Sequence, residues 1–230
     1  DIYIGNEASV RAGLLNLKYP IQHGIVTNWD DLEMIWHYAF YDALKTQPDE
    51  HPVLISEVLK NSKQNREKMI QIMFETFHVP SYYTEIDAIL SFYSSGCSAG
   101  LVLDVGNNIS KIIPFYDYKV IKSGVNRMNI GGQDITEYLQ ELLYGRNYRM
   151  TTSAQKEMTC DMKEKICFVE NRHQYYRNAD LLTSYSLPDG TVISIDEERY
   201  LCSQPFFNTD LVGSDFEFNS LTEMLFDSAK

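Results

Sequence analysis

The stretch Gly100-Leu-Val-Leu-Asp-Val-Gly-Asn-Asn-Ile-Ser-Lys-Ile-Ile-Pro-Phe-Tyr116 decides the fold. Its two apolar runs, 100–104 and 109–116, are separated only by Val105-Gly-Asn-Asn108. Runs of this kind read as strands, and so short a connection makes them a hairpin. Gly106, Asn107 and Asn108 are residue types that take positive φ more readily than others. A turn built that way aims consecutive backbone N–H groups into one concavity, which suits phosphate oxygens. Asp104 ends the first strand, where a carboxylate can hold a hydrated Mg²⁺, an ion that takes one or two carboxylates plus waters. Taken alone, the stretch is more simply an ordinary hairpin.

Helical patterns flank it on both sides. Upstream, Asn28 can cap a helix whose first turn carries Asp30 and Asp31, where carboxylates suit the positive helix end. Leu32, Ile35, Trp36, Ala39, Phe40 and Ala43 form its apolar face. The pattern then predicts a strand at 53–55, a helix at 65–77, a strand at 79–83 and a helix at 87–93. Downstream, a third strand is expected at 118–122. Gly131-Gly132 opens a helix with Ile135, Tyr138, Leu139, Leu142 and Leu143 on one face, and another helix covers 153–163. Leu187-Pro-Asp-Gly190 is a turn before a strand at 191–195. Strands alternating with helices around a β-meander indicate a mixed α/β fold.

Composition narrows the function classes. The 230 residues carry a formal charge of −12, which argues against a generic nucleic-acid or anionic-membrane binder. No apolar run is long enough to span a bilayer, and no signal peptide stands at the start as given. Cys97, Cys160, Cys167 and Cys202 contain no CxxC pair and read as four reduced thiols. The five histidines show no ligand spacing, and the motifs GxxxxGK[ST], GxGxxG and HExxH are absent. Asn108-Ile-Ser110 matches a glycosylation acceptor, a tripeptide common by chance. The chain starts at Asp1 without an initiator Met and stops abruptly at Lys230, so it reads as cut, processed or incompletely represented.

Read in order, these segments resemble the actin family. Lys18-Tyr-Pro-Ile-Gln-His-Gly-Ile-Val-Thr-Asn-Trp-Asp-Asp31 looks like the run that follows the family's DNase-binding loop. His51-Pro-Val-Leu-Ile-Ser-Glu57, Asn61 and Asn65-Arg-Glu-Lys-Met69 are similar to its signature strand and helix, with Ser56 for the usual Thr and Val58-Leu59 for the usual Ala-Pro. Gln71-Ile-Met-Phe-Glu-Thr-Phe77, Asp161-Met-Lys-Glu-Lys-Ile-Cys167 and Leu187-Pro-Asp-Gly190 follow in the family's order. The resemblance covers nearly everything up to about Gln204. It implies the actin-like ATPase fold, ribonuclease H-like and shared with sugar kinases and heat-shock chaperones, in incomplete form. By this match, residues 1–19 are a remnant of subdomain 2 and 20–94 lie in subdomain 1. Residues 95–130 begin subdomain 3, 131–214 form subdomain 4, and 215–230 return to subdomain 3.

The resemblance also implies a site for ATP or ADP with Mg²⁺. Asp104 corresponds to the second phosphate loop's aspartate near the metal, which it would hold through water. Gly106, Asn107, Asn108 and Ile109 correspond to the phosphate-facing backbone. Gly132 resembles the adenosine-side glycine, with Asp134 close by. Lys163 and Glu164 look like the pair that contacts base and ribose. His23 resembles a histidine often methylated in actins. Family members carry a first phosphate hairpin upstream of the position of Asp1 and another adenosine-side loop downstream of that of Lys230. The chain is therefore expected to be an excerpt of a longer actin-like protein or a truncated paralogue, and on its own to bind nucleotide poorly.

The departures bear on function. Asp87 stands where actins usually carry a glutamine that positions the attacking water, and Lys111 replaces a histidine. Asn107 replaces an aspartate, Asn108 a glycine, Val105 a small residue and Gln133 an arginine. Asp87 and Asp104 remain the candidate catalytic positions. Asp87 adds negative charge near a triphosphate and removes the water-positioning amide, so hydrolysis is expected to be slow or absent. The stretch 206–217 is shorter than the corresponding stretch of actins, which includes the hydrophobic plug of cross-strand filament contacts, and this puts such contacts in doubt. Two functions stand: a nucleotide-binding filament or filament-associated cytoskeletal subunit, and a non-filament actin-related subunit of a larger complex. A small-molecule kinase is set aside, since no substrate-site acidic residues are identifiable. The implied partners are actin or actin-like subunits and actin-binding proteins. The implied location is the cytoplasm and cytoskeleton, or a nuclear complex.

Overall fold

A computed structural model describes residues 2–11, 13–22, 24–59, 61–170, 182–188, 190–213 and 220–230. His23 lies outside the described residues, as do Asp215 and Glu217. In chain order the elements used below are α1 (Asn6–Val10), β1 (Ile21–Gln22), β2 (Ile25–Val26), α2 (Trp29–His37), β3 (Val53–Glu57), α3 (Lys63–Glu75), β4 (Tyr82–Ile86) and α4 (Asp87–Ser95). There follow β5 (Gly100–Val105), β6 (Ser110–Tyr116), β7 (Lys119–Val120), β8 (Asn126–Met128), α5 (Gly132–Gly145), α6 (Ser153–Ile166), β9 (Thr183–Ser186), β10 (Val192–Ile195), α7 (Glu198–Leu201) and α8 (Leu221–Ser228). The fold is α/β with parallel and antiparallel pairings.

The chain divides into two compact units. Unit 1 holds residues 1–5, 18–104 and 113–123, and unit 2 holds 6–17, 105–112 and 124–230. In unit 1, β3 and β4 pair in parallel, with Val53 opposite Tyr82 and Glu57 opposite Ile86. Val53, Ile55 and Tyr82 of these strands pack on Ile72 and Met73 of α3 and on Phe77 and Val79 just beyond it. Asn28 caps α2 as expected, its side chain accepting the Asp31 N–H at 3.1 Å. The helix does not stay regular to Ala43, because residues Tyr38–Ala43 form a π-helical turn.

Two strand expectations shift. The run at 79–83 becomes Tyr82–Ile86, because His78 takes a φ of 55° and Pro80 interrupts the chain before it can pair. Val79 is buried without being a strand residue. The strand expected at 118–122 contracts to Lys119–Val120. Asp117 and Tyr118 both have positive φ, 49° and 59°, the signature of a two-residue primed turn between Tyr116 and Lys119. The Tyr118 N–H donates to the Ser98 carbonyl at 2.9 Å, which fastens that turn.

In unit 2, Ser110–Ile112 of β6 pairs antiparallel with β8. One core gathers Ile112, Met128, Ile130 and Met224. The other joins Ile135, Leu139 and Leu143 of α5 to Met162, Ile193, Ile195 and Cys202. The i, i+4, i+8 spacing of the α5 residues puts them on one helical stripe, so the amphipathic pattern in the sequence is the cause of the packing. Thr152 caps α6 with a Gln155 capping box. Helix α6 outruns the sequence expectation and ends at Ile166.

Candidate functional site

The connection between β5 and β6 is the start of the site. The Gly106 N–H donates to the Ile109 carbonyl at 2.9 Å, which closes a tight loop. Neither Gly106 nor the two asparagines take positive φ, so the left-handed turn expected from their residue types is not how this loop bends. Glycine serves another need, for a Cβ at position 106 would stand 3.3 Å from the Ile109 carbonyl oxygen.

The first turn of α5 grips this loop by its carbonyls. The Gly132 N–H donates to Gly106 O at 3.0 Å, and the Gln133 N–H donates to Asn107 O at 2.7 Å. Helix-start N–H groups lack intrahelical partners, and here the loop supplies them. The Asn108 side-chain amide adds a bond to Gln133 Oε1 at 3.2 Å. A trans peptide carries its C=O and N–H on opposite edges. With the Gly106 and Asn107 carbonyls turned onto α5, the N–H groups of Asn107 and Asn108 point away from it. Two consecutive backbone donors are thereby aimed outward together.

That docking needs the glycine pair. A Cβ on Gly131 would lie 2.5 Å from the Asn107 carbonyl carbon and oxygen and 2.6 Å from the Asn108 nitrogen. A Cβ on Gly132 would meet Lys163 Nζ at 3.3 Å and Asn107 Oδ1 at 3.6 Å. Asp134 does a local job, accepting the Gly131 N–H at 2.8 Å at the positive end of α5. Lys163 reaches across from α6, donating to Gly132 O at 2.8 Å and to Thr136 Oγ1 at 2.9 Å. An ammonium has three donors, so these two bonds leave one more. Glu164 does not accompany it; this exposed residue lies 3.6 Å from Cys160 Sγ. Burial pushes the Cys160 thiol up, with Lys163 opposing and Glu164 adding to the rise.

The remaining candidates are placed as follows. Asp104 is half-buried near the end of β5 and Asp87 is half-buried at the first position of α4, both in unit 1. Asp87 Oδ1 accepts the Ala88 N–H at 2.8 Å. Lys111 is 2% exposed within β6, in register with Arg127. Unit 2 thus brings together Gly106, Asn107, Asn108, Gly132, Asp134 and Lys163. Sequence reasoning missed Thr136, whose hydroxyl both donates to Gly132 O at 2.9 Å and receives Lys163. Its place one turn beyond Gly132 was the available signal.

The sequence matches the Actin family model over residues 1–230. The chain belongs to the actin family. Actin-family domains generally bind ATP or ADP with Mg²⁺, and the residues present can be tested against that group. Backbone N–H groups directed away from α5 and the cationic Lys163 Nζ are donors of the kind an anionic ligand takes. Among the described residues no three His, Cys, Asp or Glu side chains cluster as a metal site. Mg²⁺ does not require one, since a single carboxylate and waters suffice. The residues present suit the anionic phosphates of that group. No described helix is long and apolar enough to cross a membrane.

Proposed function

We propose that this actin-family chain is a nucleotide-binding cytoskeletal subunit, in a filament or associated with one, with weakened ATP hydrolysis. The observation that carries the reading is the clamp of α5 on the loop 106–109, which directs the Asn107 and Asn108 N–H groups away from the helix. In it, Gly106, Asn107, Asn108 and Ile109 present backbone to phosphate oxygens. Gly132 and Lys163 receive the adenosine side, with Asp134 holding the helix start and Glu164 at the rim. Asp104 would hold Mg²⁺ through water. Bound Mg²⁺ would neutralise phosphate charge during hydrolysis.

Asp87 accounts for the weakened hydrolysis. A carboxylate accepts hydrogen bonds and donates none when ionised, whereas an amide does both. It therefore orients a water less completely and adds charge repulsion toward phosphate. The subdomain assignment 1–19, 20–94, 95–130, 131–214 and 215–230 belongs to the same reading. So do the actin-like and actin-binding partners and a cytoplasmic, cytoskeletal location. A second reading, a non-filament actin-related subunit of a larger complex, is favoured by the replacements at 87, 105, 107, 108, 111 and 133.

Titration of the chain with a fluorescent ATP analogue and Mg²⁺ tests the nucleotide site. Saturable binding that unlabelled ATP displaces supports it, and a flat titration at millimolar nucleotide refutes it. Sedimentation in Mg-ATP and salt separates the two assembly readings. A pellet at micromolar protein supports the filament, and a discrete complex on pull-down supports the alternative.

A further inference from the structure

The C-terminal end of α6 is pinned to α7 by one residue. Arg199 Nε donates to the Ile166 carbonyl at 2.8 Å, and the Phe168 N–H donates back to the Arg199 carbonyl at 3.0 Å. The Arg199 guanidinium lies over the Phe168 ring, 5.0 Å from its centroid. Between these anchors sit Cys167, which ends α6, and Cys202, which ends α7. Cys202 is 1% exposed in the core of unit 2, and the half-buried Cys167 packs against the same core. The Cys202 thiol lies 3.5 Å from the Arg199 carbonyl oxygen, the acceptor already used by Phe168. The Phe168 N–H and the Cys202 thiol thus meet at one carbonyl oxygen, which sets Cys167, the residue before Phe168, beside Cys202 in that core. Both are free.

We propose that Cys167 and Cys202 form an oxidant-responsive dithiol, a modification site at which peroxides convert two thiols into one disulfide. Cys167 is the attacking sulfur, because it is the partly accessible one. Its surroundings agree: the Cys202 side chain and then the Arg199 and Lys163 cations hold it below the ordinary thiol range. The Cys167 contact and then burial push Cys202 the other way, so it stays a protonated resolving thiol until a sulfenic acid forms beside it. In the first step the Cys167 thiolate attacks a peroxide oxygen. An S–O bond forms, the O–O bond breaks, and the departing hydroxide leaves as water after protonation. In the second step Cys202 sulfur attacks the sulfenic sulfur. The S–S bond forms, the S–O bond breaks, and the hydroxyl leaves with the Cys202 proton as water. The sum is two thiols plus one hydrogen peroxide giving one disulfide and two waters.

The site differs from an incidental surface oxidation. Cys97 is exposed and lies in unit 1, so it provides an internal comparison within the same chain. Oxidation at this pair needs no bound nucleotide.

The test treats the intact chain with equimolar hydrogen peroxide under native conditions, blocks remaining thiols, and maps peptides by mass spectrometry. The expected product is a cross-linked peptide joining Cys167 to Cys202, lighter by two hydrogens and restored by dithiothreitol. Cys202→Ser should instead yield a sulfenic acid on Cys167 that dimedone traps, and Cys97→Ser should leave the cross-link yield unchanged. Because Cys202 is buried, Cys167→Ser provides a second variant, which should abolish the cross-link and leave Cys202 reduced. A wild-type chain in which Cys167 is singly oxidised with no cross-linked peptide would overturn the proposal. So would oxidation confined to Cys97.

Discussion

Gly131→Ala is the sharpest perturbation of the clamp. The added Cβ would stand 2.5 Å from the Asn107 carbonyl carbon and oxygen, atoms of backbone that no rotamer change can move. Optimal carbon contacts are near 3.5–4.0 Å, so the overlap is about 1 Å. Overpacking of that order costs about 1–3 kcal/mol. Relief by lifting the loop would also loosen the bonds from Gly132 to Gly106 and from Gln133 to Asn107. Each contributes about 1 kcal/mol, so the expected loss is roughly 2–4 kcal/mol. Both tryptophans, Trp29 and Trp36, lie in unit 1, so their fluorescence is a poor reporter of this change. Hydrogen exchange of peptides covering 106–109 and 132–136 is the suitable assay. The amides there should exchange roughly 30- to 1,000-fold faster, with peptides of α3 unchanged. Gly145→Ala is the control, because a Cβ there meets nothing within 4 Å at the end of α5. It should gain about 0.5–1 kcal/mol. Unchanged exchange in Gly131→Ala would refute the close-packed clamp.

Other outcomes follow from unit 1 and from α6. The Tyr82 hydroxyl is buried with no hydrogen-bond partner among the described residues, so Tyr82→Phe should be neutral or stabilising by about 1 kcal/mol in a urea titration. Burial and then Glu57 raise the Tyr82 phenol from 10.0 to about 12. The unfolded chain therefore loses this proton first, and stability held in full below pH 10 should fall from there to about 12, less steeply in Tyr82→Phe. Asp161 is held below the usual carboxylate range by Lys165 and then Tyr185. Its contribution is present above the unfolded carboxylate value and is lost as acid titrates it; because the pair is exposed, Asp161→Asn should shift the acid melting profile only slightly. Asp87→Gln restores the amide and should raise single-turnover phosphate release at least about tenfold, and an unchanged rate would show that Asp87 is not what limits hydrolysis.

Much of this was legible in the sequence where periodicity and capping act locally. The face carrying Ile135, Leu139 and Leu143 is buried as its spacing demands, and Asn28 caps α2 by its own side chain. Strands β8 and β9 escaped because Asn126-Arg-Met128 and Thr183-Ser-Tyr-Ser186 are short and polar, and only their pairing partners make them strands. The primed turn at Asp117-Tyr118 was hidden because it puts a tyrosine at positive φ, which residue type alone opposes. At the site, Gly131-Gly132 announced a close approach but not to what. The partner turned out to be the backbone of Asn107, and Lys163 meets Thr136 from another helix, a contact that no local spacing encodes. Cys167 and Cys202 likewise come to one core only through the fold.

The most direct test of the account is Mg-ATP binding to the wild-type chain and to Lys163→Met, measured by calorimetry with thermal unfolding as a check on folding. Lys163 Nζ donates to Gly132 O and Thr136 Oγ1 and adjoins the space beside Asn107 Oδ1. Loss of a charged hydrogen bond to ligand costs about 1.5–3 kcal/mol, so affinity should fall roughly 10- to 150-fold in a folded variant. Equal affinity of the two folded proteins, or no binding by either at millimolar Mg-ATP, would contradict it.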